Sequence, residues 1–250
     1  MKRFLLVGVL ALLGLGSTIG SQEKAAPAAV HKAECRWRSG PIKIDGVINE
    51  VAWDKAETLT AFAVYWQQRT PKTATKARLL WDDKYLYFCA DMEDADLFAN
   101  IKEHNGMIWN NDVFELFFKP AQDRHTYYEF QVNPLNTQLE LFLPSRGAGG
   151  YTRFAPTTKF GMETAVKLQG TLNQWEDQDK GWIVEGRIPW TAFKASGGKP
   201  AHGAAWRFAL CRYDYSVAFE QPELSSTAPL TQPNFHRYED YGVLTFKDRE

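Results

Sequence analysis

DVFELFFKPAQDRHTYYEFQVN, residues 112–133, carries the reading of the fold. Its first half alternates, with Phe114, Leu116 and Phe118 on one side and Val113, Glu115 and Phe117 on the other. Its second half sets Tyr128, Phe130 and Val132 against Tyr127, Glu129, Gln131 and Asn133. A period of two means strands, because successive side chains of an extended chain leave opposite faces. The polar stretch PAQDRH between them fits a hairpin loop. If the two strands pair, Glu115 falls opposite Gln131 on the non-core face, with Glu129 and Asn133 beside them. The loop HNGMIWNND (104–112) runs into the first strand and sets Trp109 at the rim of that face.

The same period recurs outward. Strands are expected at 75–81, 85–92, 137–143, 181–188, 204–213 and 241–246. Short, frequent strands separated by turn residues imply an all-β sandwich or barrel. Asp82 and Asp83 mark a tight turn. Only two helical pieces are expected: residues 49–56, opened by Asn49 as a cap, and a turn around 190–194. No P-loop, GxGxxG, internal repeat or second domain is visible in the 250 residues.

The first 21 residues read as an export leader: Lys2 and Arg3, then the apolar run 4–15, then small residues to Ser21. The run is shorter than a membrane span requires. Residues 22–33 read as an Ala/Pro linker, leaving 34–250 as the folded domain. The expected location is therefore the periplasm or the exterior, with no membrane attachment once the leader is removed. The formal net charge of −1 gives no basic face for nucleic acid. Three cysteines include no CxxC pair, which argues against a thiolate metal site. Cys89 and Cys211 share non-core parity, and export permits a disulfide between them.

Neither GxSxG nor HExxH occurs, and the five histidines show no ligand spacing. The acidic run DMEDAD (91–96) admits two readings: a solvated loop closing a strand, or a calcium site using Asp91, Glu93, Asp94 and Asp96. A face combining carboxylate, amide and Trp suits a sugar. The polar groups take hydroxyls and the ring covers the apolar C–H side of a pyranose. A merely polar outer face with a half-buried Trp is the competing reading.

The segments IDGVINEVAWDKA (44–56), LLWDDKYLYFCADMED (79–94), IWNNDVFELFFKP (108–120), YYEFQVNPLNT (127–137) and GWIVEGRIPW (181–190) occur in the order and spacing of another group of proteins. The chain resembles family 9 carbohydrate-binding modules, themselves related to the DOMON-like superfamily. The resemblance implies a jelly-roll-like antiparallel β-sandwich, often with structural calcium, and a sugar end clamped between two aromatic rings. It makes Trp109 one clamping ring and Glu115 a carboxylate for sugar hydroxyls. It puts Gln131 where xylanase-linked members carry Arg, and Phe235, in PNFHRYEDYG (233–242), where they carry the second Trp.

The function expected is that of an exported, monomeric protein that binds poly- or oligosaccharide without cutting it, alongside glycoside hydrolases. Two alternatives belong to other classes. One is a hydrolase in its own right. The other is a haem domain of related fold with Met92, Met107 or His104 as ligand, against which stands the absence of CxxCH, so that no haem is expected.

Overall fold

The computed structural model describes residues 31–148, 150–155 and 159–249. The expected leader at 1–21 and the linker residues 22–30 lie outside the described residues. The end of that linker is not linker, because Lys32 and Ala33 open a strand.

The strands are β1 (Lys32–Trp37), β2 (Thr75–Trp81), β3 (Tyr85–Glu93), β4 (Val113–Lys119), β5 (Tyr127–Val132), β6 (Gln138–Leu143), β7 (Glu163–Gln169), β8 (Gly181–Pro189), β9 (Ala205–Asp214), β10 (Glu223–Ser226) and β11 (Gly242–Lys247). They form one curled sheet in the order β6-β5-β4-β9-β11-β1-β2-β3-β8-β7, with β10 paired to β9. The curl folds β6-β5-β4-β9-β11 over β2-β3-β8-β7, so the molecule is a β-sandwich. Pairing is antiparallel except at β1, which runs parallel to both β11 and β2 and joins the two layers.

The inner faces meet in the main core. Phe114, Leu116, Phe118, Tyr128, Phe130 and Val132 from one layer face Leu86, Phe88, Ala90, Met92, Trp182 and Val184 from the other. The β4 and β5 residues are those that alternation set opposite the Glu115 face, and the same alternation in 85–92 puts Leu86, Phe88, Ala90 and Met92 on one face. Burying a single ring of this kind contributes roughly 1.5–3 kcal/mol, so the parity of each strand is strongly determined.

Three strands escape the sequence reading. β7 is an edge strand with no fully buried residue, and an edge strand need not alternate. β10 has four residues. β1 follows an Ala/Pro-rich stretch whose composition masks it. The helix expected at 49–56 is a 3₁₀ turn, Val51–Lys55, which follows Glu50 and has no side-chain cap. Docking decides its shape, because Trp53 is buried and its Nε1 donates to Glu185 Oε1 at 3.0 Å. The same carboxylate accepts the N–H groups of Asp45 and Gly46 at 3.1 and 3.2 Å. Gly46 has φ +79°, and a Cβ there would meet the Val166 backbone at 3.1 Å. Glu185 thus pins the 44–56 segment to β8. The second expected turn is the 3₁₀ segment Trp190–Ser196. The Asp82 turn is as expected, with Oδ1 accepting the N–H groups of Lys84 and Tyr85.

The expected Cys89–Cys211 disulfide does not form, and all three cysteines are free and buried. Both residues do point away from the main core, but on opposite layers. Cys89 lies in an outer cluster with Trp53, and Cys211 in another with Phe117. Packed sheets stand about 10 Å apart, beyond the roughly 7 Å Cα separation a disulfide tolerates. Among the described residues, no helix is long and apolar enough to cross a membrane.

Candidate functional site

The outer face of β4, β5, β6 and β9 is covered, which alternation alone did not show. Val113, Phe117, Tyr127, Leu139, Leu141, Leu143, Ala209 and Cys211 form a second core there. Three loops roof it: the 3₁₀ turn Ile108–Asn110, the helix α1 (Gly150–Phe154) and the segment 228–241. They leave a cavity of about 340 Å³ whose lining includes Trp109, Glu115, Glu129, Gln131 and Phe235. Five of the six residues expected at a sugar site therefore share one pocket.

The polar floor comes from strand register. Glu115 pairs directly with Gln131 across β4 and β5, as the hairpin reading requires. Glu129 is two residues along β5 on the same face, and it accepts a hydrogen bond from Gln131 Nε2 at 2.6 Å. Glu129 Oε2 and Gln131 Oε1 are buried without a hydrogen-bond partner. Burial first, then the charge of Glu129, pushes the Glu115 carboxyl well above the usual carboxylate range. Burial also raises Glu129, against a lowering by His236 and the Gln131 hydrogen bond. Such groups gain by receiving donors from a ligand, since a buried acceptor left unpaired costs about 1–3 kcal/mol.

Asn133 does not belong to the site. Its amide donates to Ile101 O and Asn111 Oδ1 and its oxygen accepts from Thr137 N, so it ties the 101–111 loop to β5. Trp109 is half-buried at the rim, edge-on to Tyr151 with centroids 4.9 Å apart. Phe235 is 4% exposed and lies edge-on to Tyr213 at 5.2 Å, so it is a packed wall of the pocket rather than a free clamping ring.

The sequence reading missed Tyr127, Tyr213, Tyr151, Arg146 and His236, which also line the cavity. Parity puts Tyr127 and Tyr213 on this face and was signal enough for them. The other three sit in loops with no periodic signal. Arg146 is held by Glu239 through two contacts of 2.6 and 2.8 Å. His236 Nδ1 lies 3.0 Å from the Tyr127 hydroxyl and 3.8 Å from Glu129 Oε2.

The acidic run 91–96 divides. Asp91 and Glu93 are exposed, and Asp96 Oδ2 accepts Val217 N at 2.8 Å. Only Asp94 joins a cluster, with Asp112 and Asp214, whose carboxylate oxygens lie within 4.8 Å of one another and are all buried. Arg212 is the cation in contact, 3.0 Å from Asp94 and 3.2 Å from Asp214. Burial, then the charge of Asp214, pushes Asp94 up to about 7. Asp112 and Asp214 are raised by burial as well. Asp214 Oδ1 is buried without a partner. An all-oxygen donor set with negative charge in excess of Arg212 fits a hard divalent cation. Asp91, Glu93 and Asp96, expected beside Asp94, lie outside this cluster, whose other members Asp112 and Asp214 stand just before β4 and at the end of β9.

Met92 is fully buried in the main core, whereas Met107 is exposed and His104 lies 3.5 Å from Glu140.

The sequence model of the family described as "Carbohydrate family 9 binding domain-like" matches residues 44–249. The chain belongs to this family. Its family 9 domain is 32% identical over 157 residues to endo-1,4-beta-xylanase A of Thermotoga maritima, covering 60% of this chain and 12% of that protein. It is 29% identical over 160 residues to exoglucanase XynX of Acetivibrio thermocellus, covering 62% and 12%. The chain thus spans about an eighth of the length of these curated relatives. A family 9 carbohydrate-binding module of Caldicellulosiruptor kristjanssonii, solved with cellotriose, superposes with a TM-score of 0.60 at 20% identity, over 88% of this chain and 95% of that one. A Bacteroides uniformis structure superposes with a TM-score of 0.70 at 18% identity, over 88% and 100%. These likenesses show the fold.

Proposed function

We propose that this chain is an exported carbohydrate-binding protein whose β4-β5-β6-β9 pocket holds one or a few sugar units of a glycan. The observation that carries the reading is the floor: buried acceptors of Glu115, Glu129 and Gln131 lie beneath a half-buried Trp109 in a cavity of about 340 Å³. Hydroxyls supply donors to such a floor, and a Trp at the rim covers the C–H face of a pyranose ring. The cellotriose and glucose in the two C. kristjanssonii structures support a saccharide as the ligand class. The xylanases among the relatives support a role beside plant-polysaccharide hydrolysis. Leader residues 1–21 route the chain out of the cytoplasm, and it acts as a monomer.

A calcium ion held by Asp94, Asp112 and Asp214 serves the fold rather than the ligand, and fixes the loop after β3 against β4 and β9. Calorimetric titration with xylo-, cello- and manno-oligosaccharides tests the reading. Binding at about micromolar to millimolar Kd is expected for an open site, and no heat with any saccharide would refute it.

A further inference from the structure

The floor of the pocket holds acceptors in excess of donors. Glu115 is 1% and Glu129 3% exposed, and among the described residues Arg146 is the one arginine or lysine in the pocket lining. The side-chain amide of Gln131 already donates to Glu129, which leaves Glu129 Oε2 and Gln131 Oε1 as partnerless buried acceptors beside the Glu115 carboxylate. The nearby cations stay at the rim. Arg146 is clamped by Glu239, and His236 is half-exposed and shared with the Tyr127 hydroxyl. A neutral sugar hydroxyl offers one donor and brings its own acceptor oxygen. An ammonium offers three donors, no acceptor, and the positive charge the floor lacks. Against carboxyls as buried as Glu115 and Glu129 that charge counts for more than it does at a surface.

Resting on the saccharide reading above, we propose that the pocket selects a sugar bearing a free amino group, a 2-amino-2-deoxyhexose or the end of a deacetylated aminoglycan, with its ammonium placed against Glu115 and Glu129. Trp109 covers the sugar ring, and the Glu115–Glu129 pair, whose burial-raised carboxyls an adjacent ammonium draws back to the ionised form, supplies the discrimination against neutral hexoses. N-acetylation removes the charge and two of the three donors, so the acetylated sugar is rejected.

The test is calorimetric titration near neutral pH with glucosamine, glucose and N-acetylglucosamine, and with chitosan-derived and cello-oligosaccharides. Glucosamine is expected to bind at least about tenfold tighter than either neutral sugar, with the preference shrinking as salt is added. Glu129→Gln, shown folded by its melt, is expected to bring the preference to about parity. Equal or tighter binding of glucose by the unaltered protein overturns the amino-sugar proposal and leaves the saccharide reading standing. Retention of the full preference in Glu129→Gln also overturns it. No binding of any sugar, amino or neutral, overturns both. The comparison of sugars on the unaltered protein stands even if the variant does not fold.

Discussion

Replacing Glu115 by Gln should make the folded protein more stable and a poorer binder. Glu115 is 1% exposed and faces Glu129, not a cation. In the unfolded chain its carboxyl ionises near the ordinary value of 4.5, and in the fold, burial and the charge of Glu129 hold it well above that. A carboxyl raised by folding contributes stability that is fully present below the unfolded value and is lost as pH rises. The loss runs at about 1.4 kcal/mol per pH unit. From 4.5 to a pH of about 7 it therefore has a ceiling near 3.5 kcal/mol. Part of it is shared, because Glu115 and Glu129 titrate as a pair and neutralising one relieves the other. Gln keeps the volume of Glu and adds a donor for a floor of unpaired acceptors. Glu115→Gln is thus expected to gain roughly 1–3 kcal/mol near pH 7 and almost nothing near pH 4.5. Urea denaturation of both proteins across that range, read as midpoints at constant m-value, measures it. Saccharide affinity should meanwhile fall about tenfold, as one of the two carboxyl oxygens open to ligand hydroxyls becomes an amide donor. A variant no more stable than the parent at pH 7, or a gain that is the same at every pH, would refute the reasoning.

Trp109→Ala is expected to remove detectable saccharide binding at a stability cost of about 1–2 kcal/mol, since the ring is half-buried and its main partner is the Tyr151 edge. Unchanged binding by the folded variant rules out its role. Calcium should raise the melting temperature, with about 3 kcal/mol of stabilisation at a hundredfold excess over Kd, and Asp112→Asn should abolish that shift. A melt indifferent to calcium and chelator counts against the cation. Thiol titration of the unreduced protein should find three cysteines, unreactive while folded because each is buried and reactive on unfolding. Fewer than three under denaturant would restore the disulfide.

Alternation by itself determined the strand character of β3, β4 and β5 and which faces of β4 and β5 enter the main core, because a wrong parity would drive Glu115, Glu129 and Gln131 into it. It also determined that Glu115 and Gln131 sit opposite one another, since pairing of two strands joined by a short loop leaves little choice of register. Local sequence could not show that the outer face of β4 and β5 would be roofed. The roof comes from 108–110, 150–154 and 228–241, segments without periodicity that meet only when the sheet curls. That roof turns a polar face into a pocket, buries Phe235 instead of presenting it, and brings in Tyr151, Arg146 and His236. The acidic cluster has the same origin. Asp91, Glu93 and Asp96 are neighbours of Asp94 in sequence, but its partners are Asp112 and Asp214, delivered by strands that end at the same edge. Cys89 and Cys211 share a parity and lie on opposite layers. Parity says only which way a side chain leaves its own strand, and which strands face each other is decided by the packing of the two layers around one core.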